Sequence, residues 1–131
     1  MIVLDASAAL RLFLPFEDGH DFGQRLVDLG EGDIHVPSHF KIELLSALRG
    51  FKLKGAISHV ELIHKSLQVR EFSVVSHRVD DFIPRIIDLT HNSTPYDAAY
   101  VALAEALDCP LITGDRRIAD IPGIQAKVVI V

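Results

Sequence analysis

A chain of 131 residues, 49% of them hydrophobic and 24% charged, has material for one folded domain that buries roughly two thirds of its unfolded surface. Its apolar runs are only a few residues long, far short of the ~20 that cross a bilayer, and its net charge of −5 excludes a nucleic-acid binder that works through one broad basic face. Cys109 is the single cysteine, so an internal disulfide and a thiolate zinc cage are excluded and a reducing compartment is implied.

The N-terminus begins with apolar residues and then an acid, without the basic and long apolar regions of a secretory signal, so the expected location is the cytoplasm. Residues 2–4 read as a buried strand, followed by a helical pattern over 6–14 that stops at Pro15. A second helix over 20–29 stops at Gly30-Glu31-Gly32, ahead of a strand over 34–36. Helices over 38–53 and 58–71, separated at Gly55, lead to a short strand at 74–75. Helices over 79–91 and 95–107 come next, then strands over 111–113 and 128–131 with a break at Pro122-Gly123 between them. Short β-branched runs alternating with longer amphipathic stretches predict an α/β fold with a parallel sheet flanked by helices. Strands covered on both faces read as continuous apolar runs, as these do. There is no repeat, low-complexity tract or linker, and residues 1–131 read as a single domain.

Two of these strands run directly into an acid. In open α/β sheets ligands sit beyond the carboxyl ends of strands, where Asp5 follows Ile2-Val3-Leu4 and Asp115 follows Leu111-Ile112-Thr113-Gly114. Asp5 is equally placed to cap the helix after it, and Asp115 to make a turn. Glu43 lies three residues after Phe40 and four before Ala47, within or beside the apolar stripe Phe40, Leu44, Ala47, Leu48, Phe51. A carboxylate there needs a partner, a proton or a cation, unless it is a rim acid whose methylenes cover the core. Asp97 occupies the third position of a helix that Thr94 caps and Pro95 opens, a placement the helix dipole favours by itself. The small residues Ala98, Ala99 and Ala102 predict close packing of that helix start.

Four carboxylates in one place repel strongly unless a multivalent cation is shared among them. Oxygen-only donors suit Mg²⁺ or Mn²⁺. Two such ions about 3.5–4 Å apart can divide the work of generating hydroxide and stabilising the leaving oxygen of an in-line displacement.

The order of these segments resembles the PIN-domain nucleases, and among them the VapC-type toxins of toxin–antitoxin pairs. The resemblance spans essentially the whole chain and rests on Val3-Leu4-Asp5-Ala6-Ser7, Lys41-Ile42-Glu43-Leu44, Tyr96-Asp97-Ala98-Ala99-Tyr100 and Leu111-Ile112-Thr113-Gly114-Asp115-Arg116. It implies a three-layer sandwich with a central parallel sheet of about five strands. It also implies metal-dependent hydrolysis of RNA phosphodiester bonds, with products carrying 5′-phosphate and 3′-hydroxyl ends, a homodimer, and inhibition by a small VapB-like antitoxin. Residue by residue it makes Asp5, Glu43, Asp97 and Asp115 the catalytic metal ligands, with Ser7 and Thr113 as supporting hydroxyls. Many relatives carry a further acid close to the last one. Here the nearest is Asp120, five residues on, which reads as a solvated loop acid.

Other chemistries find less support. His59 and His64 are five apart, a spacing that does not place both on one helical face, and they read as surface residues. Dinucleotide-binding, Walker A and nucleophile-elbow patterns are absent, so no organic cofactor is indicated. Arg116 and Arg117 follow Asp115 and are placed to meet RNA phosphates. Arg49, Lys52 and Lys54 either do the same or complement a helix C-terminus. Aromatic stacking is poorly supported, since there is no Trp and the seven Phe fall mostly in core stripes. A phospho-acceptor receiver domain would use Thr113 and Lys127, but the strand at 74–75 leads into Ser76-His77-Arg78, where an acceptor Asp is needed. A catalytically silent interaction module of the same fold is the remaining alternative.

Overall fold

The computed structural model describes residues 1–14, 19–29 and 32–131. The breaks expected at Pro15 and Gly30-Glu31 lie outside the described residues. Five short strands, β1 (Ile2–Leu4), β2 (Ile34–Pro37), β3 (Val75–His77), β4 (Leu111–Thr113) and β5 (Val128–Ile130), form one sheet in the order β3-β2-β1-β4-β5. Every neighbouring pair is parallel, with Val3 of β1 aligned to His35 on one side and Leu111 on the other. The central strands β1 and β4 are buried throughout, which is what their unbroken apolar sequences dictate. The outer strands β3 and β5 keep partial exposure.

Parallel strands need crossovers, and helices supply them. In chain order these are α1 (Ala6–Ala9), running on into a 3₁₀ turn over Leu10–Leu12, then α2 (Gly19–Leu29), α3 (Phe40–Leu53), α4 (His59–Glu71), α5 (Ile83–Leu89), α6 (Pro95–Leu107) and α7 (Arg116–Ala119). In α3 the buried residues Phe40, Leu44 and Leu48 recur every fourth position, the stripe expected of a helix with one face on a sheet. Ser58 and Glu61 close a reciprocal capping box at the start of α4. Helix α6 is buried continuously from residue 98 to 104, and its alanines allow it to lie close against β1, β2 and β4. Thr94 caps it by accepting from the Asp97 amide at 3.2 Å, and Asp108 ends it in the left-handed conformation.

Four elements differ from the sequence-based expectation, the first being the helix expected over 6–14, which is α-helical for only four residues before the 3₁₀ turn at Leu10–Leu12. The helix expected over 79–91 is a 3₁₀ turn at Asp80–Phe82 followed by α5, because Pro84 has no amide hydrogen to carry a helical bond and is accommodated only in a first turn. Strand β3 sits a residue later than 74–75 and takes in Ser76 and His77, which pair with Val36 and Pro37. Helix α7 was not expected at all. Its four residues follow directly from the cap at Asp115.

The strand order has one functional consequence. From β1 the chain builds outward to β2 and β3, then returns to the other side of β1 for β4 and β5, so the winding reverses between β1 and β4. At such a switch point the carboxyl ends of the two strands open a crevice. The order also differs from the 2-1-3-4-5 order of receiver domains, which removes that alternative. Among the described residues no helix is long and apolar enough to cross a membrane.

On the far side of α6, Arg85 of α5 forks onto Glu105 at 2.8 and 3.1 Å and also donates to the Gly123 carbonyl. Glu105 additionally accepts from the Gln125 amide at 2.7 Å. Despite its burial, these donors hold the Glu105 carboxyl below the usual range. Such a group contributes stability above its unfolded pKa and loses it as pH falls through the depressed folded value. Glu105→Ala is therefore expected to lower stability by about 1–2 kcal/mol at neutral pH, with the gap closing below about pH 4. Urea unfolding of both proteins at the two pH values measures this.

Candidate functional site

Asp5 leaves the end of β1 with its amide bonded to the Ile112 carbonyl at 2.9 Å, and its own carbonyl accepts from Ala8 and Ala9. It stands at the N-cap position of α1 but makes no side-chain cap bond. Instead its carboxylate, on a residue only 4% exposed, accepts two hydroxyls at Oδ2: Ser7 Oγ and Thr113 Oγ1, both at 2.6 Å. Each hydroxyl in turn accepts a backbone amide from the turn after β4, Gly114 to Ser7 and Asp115 to Thr113, both at 3.0 Å. Since each hydroxyl has one hydrogen and gives it to Asp5, the two are oriented as donors toward a single oxygen. Among the described residues no hydrogen-bond donor meets Asp5 Oδ1.

Glu43 comes from the first turn of α3 and is half-buried. Tyr100, fully buried on α6, donates its hydroxyl to Glu43 Oε2 at 2.5 Å. Burial pushes the Glu43 carboxyl above its usual range, the Tyr100 hydrogen bond opposes that, and the negative fields of Asp5 and Asp97 add to the rise. Asp97, in the first turn of α6, is raised by burial and then by Asp5 and Asp115, with Thr94 and Arg117 acting the other way. These four acids, from four separate elements, thus lie close enough at one edge of the sheet for their charges to act on one another.

Asp115 differs from the other three. Its Oδ1 caps α7 by accepting the Arg117 amide at 2.9 Å, and the Arg117 guanidinium grips both carboxylate oxygens, with Nη2 at 2.7 Å from Oδ2. That cation holds the Asp115 carboxyl below its usual range. Asp115 thus caps α7, a role the sequence reading did not give it, and Arg117 is engaged by an acid of the cluster. Arg116 is exposed, and so is Asp120, which ends α7. His59 and His64 are exposed, and Cys109 is buried.

The donor set suits a hard divalent cation. It consists of oxygens alone, and burial and mutual repulsion push Glu43 and Asp97 toward protonation, a strain that a bound cation would relieve. Among the described residues no three carboxylate, imidazole or thiol groups lie close enough together to hold a metal ion as they stand. Asp5, Glu43 and Asp97 have the oxygens to hold an ion, and Asp115 could join only as Arg117 yields.

Two neighbours of the acids carried no weight in the sequence. Tyr100 fixes Glu43 from 57 positions along the chain, a pairing no local pattern reveals. His39 lies with Nε2 3.7 Å from Glu43 Oε2, and its ring meets Tyr96 and Tyr100 edge-on at 5.5 and 5.3 Å. Burial holds the His39 imidazole below its ordinary pKa.

Fold and site together define a parallel α/β domain with an acidic edge at its switch point. A family model described as PIN domain matches residues 2–124. Ribonuclease VapC12 of Mycobacterium tuberculosis is 38% identical over 131 residues, covering 100% of this chain and 99% of its own length. Ribonuclease VapC9 of the same species is 35% identical over 132 residues, 100% and 98% of the two chains. Among solved structures, the sarcin-ricin loop cleaving toxin VapC20 of M. tuberculosis superimposes with a TM-score of 0.68 at 13% identity, covering 97% of this chain and 99% of that one. VapBC2 of Rickettsia felis, bound to a promoter DNA fragment, matches with a TM-score of 0.66 at 13% identity over 98% of each chain. The chain belongs to the PIN-domain family, in its VapC branch.

The hydroxyl pair on Asp5 is open to a direct test. Thr113→Val keeps the volume of a fully buried side chain but leaves a buried carboxylate short of a donor, and is expected to cost about 1–3 kcal/mol. Thr113→Ser keeps the hydroxyl and is expected to cost about 1 kcal/mol for the lost methyl group. Urea midpoints of the two variants compare them, and equal stability of Thr113→Val and the unsubstituted protein would contradict the network.

Proposed function

We propose that residues 1–131 form a single PIN domain that acts as the metal-dependent endoribonuclease toxin of a VapBC-type pair. The observation that carries this reading is the convergence of Asp5, Glu43 and Asp97 at the switch point, where their charges disfavour one another. Full-length similarity to proteins named ribonuclease VapC supports it.

In this reading Asp5, Glu43 and Asp97 hold Mg²⁺ or Mn²⁺, with Asp115 as a fourth ligand once its fork with Arg117 opens. When bound, such a cation polarises a phosphodiester and lowers the pKa of water. The chain's own residues set the geometry. Ser7 and Thr113 fix the Asp5 carboxylate through Oδ2, and Oδ1 meets no donor among the described residues. Tyr100 holds one oxygen of Glu43, so the other is left for a ligand. Arg116 meets an RNA phosphate from the exposed surface of α7, and Arg117 does so when it leaves Asp115. The products carry 5′-phosphate and 3′-hydroxyl ends.

The partners proposed are RNA as substrate, a VapB-like antitoxin and a second copy of the chain, acting in the cytoplasm. Solved neighbours of this fold include a toxin–antitoxin complex from Klebsiella pneumoniae, which supports an antitoxin partner.

Asp97→Asn separates the chemistry from the fold. It is expected to reduce cleavage of total RNA in Mg²⁺ or Mn²⁺ by about 100-fold or more. In chelator it should melt no lower than the unsubstituted protein, because it removes a charge that burial and two other acids oppose. The unsubstituted protein should gain about 2.7 kcal/mol of stability when Mn²⁺ stands at 100 times its dissociation constant, and the variant much less. Undiminished cleavage by purified Asp97→Asn protein refutes the assignment.

A further inference from the structure

One cavity opens directly off the acidic edge. It lies between the turn that joins α5 to α6, residues 90–94, and α7, and its volume of about 390 Å³ is within the range of small-ligand clefts. Asp97 and Arg117 both line it, close enough for the charge of each to act on the other. His91, Asn92 and Thr94 line it from the turn, and the buried side chains of Ile118 and Ile121 give it an apolar side. One acid of the cluster is thus part of the wall, and so is the guanidinium that grips another.

The turn itself is held from behind. Thr90 donates its hydroxyl to the Ile87 carbonyl at 2.8 Å, Ser93 donates to the Leu89 carbonyl at 3.0 Å, and Thr94 accepts the Asp97 amide at 3.2 Å. Between these anchors His91 and Asn92 are exposed, and among the described residues their side chains enter no hydrogen bond or ion pair. A braced backbone carrying unpaired polar side chains into a cavity is the arrangement of a recognition loop. The Asn amide sets a donor beside an acceptor, which is the pattern along the edge of a base, and an imidazole adds one more of either kind. Sequence-specific recognition of RNA takes unpaired bases by these edges. A nucleotide has a charged half and a neutral, hydrogen-bonding half, and the cavity is divided in the same way. Arg117, and Asp97 through a cation, suit the phosphate. Asn92 and His91 suit the base edge, and the two isoleucines suit its flat apolar face.

We propose that this cavity is a nucleobase subsite, in which Asn92 and His91 read the edge of a base adjoining the cleaved phosphodiester while Ile118 and Ile121 pack against it. The proposal rests on the ribonuclease reading and adds how the substrate's base is chosen. Asn92 and His91 select the base and have no part in the chemistry, which stays with the acids. A base whose edge does not match leaves the Asn92 amide without its partners, and that mismatch supplies the discrimination.

The dinucleoside monophosphates ApA, CpC, GpG and UpU, in chelator, probe the cavity without cleavage. At least one is expected to shift the backbone amide NMR signals of residues 90–94 saturably, while inorganic phosphate leaves those signals in place. With divalent cation, cut sites mapped on total RNA are expected to favour one base at a fixed position beside the cut. Asn92→Ala should erase the preference at that position alone, and on RNA carrying the favoured base it should raise KM about ten- to a hundred-fold with a much smaller effect on kcat. His91→Ala should weaken the same preference, and both variants, substituted at exposed positions, should melt with the native protein. Cleavage with the native base preference by Asn92→Ala, with residues 90–94 silent to all four dinucleotides, overturns the subsite and leaves the nuclease reading standing. Saturable shifts at those residues in a protein that cleaves no RNA sink the nuclease reading and leave the base pocket. Shifts from inorganic phosphate equal to those from the dinucleotides make the cavity an anion site and overturn base recognition.

Discussion

A carboxylate buried at the centre of a parallel sheet has to be satisfied locally, and in this protein that requirement ties two distant strand ends together. Asp5 gains its partners from Ser7 and Thr113, and those hydroxyls are themselves held by amides of the turn that follows β4. The path from backbone amide to hydroxyl to carboxylate runs twice across the gap between β1 and β4, the place where the winding of the sheet reverses. The crevice that topology opens is therefore also where polar groups are most tightly coupled. Neither hydroxyl could be exchanged for an alkyl group without stranding charge in the interior.

Around that fixed carboxylate the remaining acids differ in how they are balanced. Glu43 shares the hydroxyl of a buried tyrosine, Asp97 draws on the cap of its own helix, and Asp115 is gripped directly by a guanidinium. The imbalance is informative. Where an internal cation is present the carboxyl is held low, and where none is present burial and repulsion drive it up. Arg117 thus does for one acid what a divalent ion would do for the others.

Much of this was legible in the sequence because its signals are local. The central strands are short runs of Ile, Val and Leu, and α6 announces itself through Thr94 and Pro95 at its start, so strands, crossovers and the placement of Asp97 follow from neighbours along the chain. The four acids could be set on one edge because strand ends and helix starts of a parallel sheet share that edge. What escaped depends on partners far away or on elements too short for periodicity. Tyr100 and Glu43 meet across 57 positions, α7 is four residues long, and Pro84 divides a stretch whose apolar pattern looks continuous. Asp5 holds the position of a cap without acting as one, because hydroxyls brought from β4 compete more closely for its oxygen.

The pairing of Val3 with Leu111 carries an implication for biosynthesis. Strand β1 keeps one hydrogen-bonding edge open until β4, more than a hundred residues further along, has been made. Assembly of long-range parallel contacts is slow, since the intervening loop must close before it is rewarded. The hydroxyl of Thr113 arrives with that same late strand, so a nascent chain carries Asp5 without its setting. The surroundings of Asp5 are therefore completed only by a residue 108 positions further along the chain.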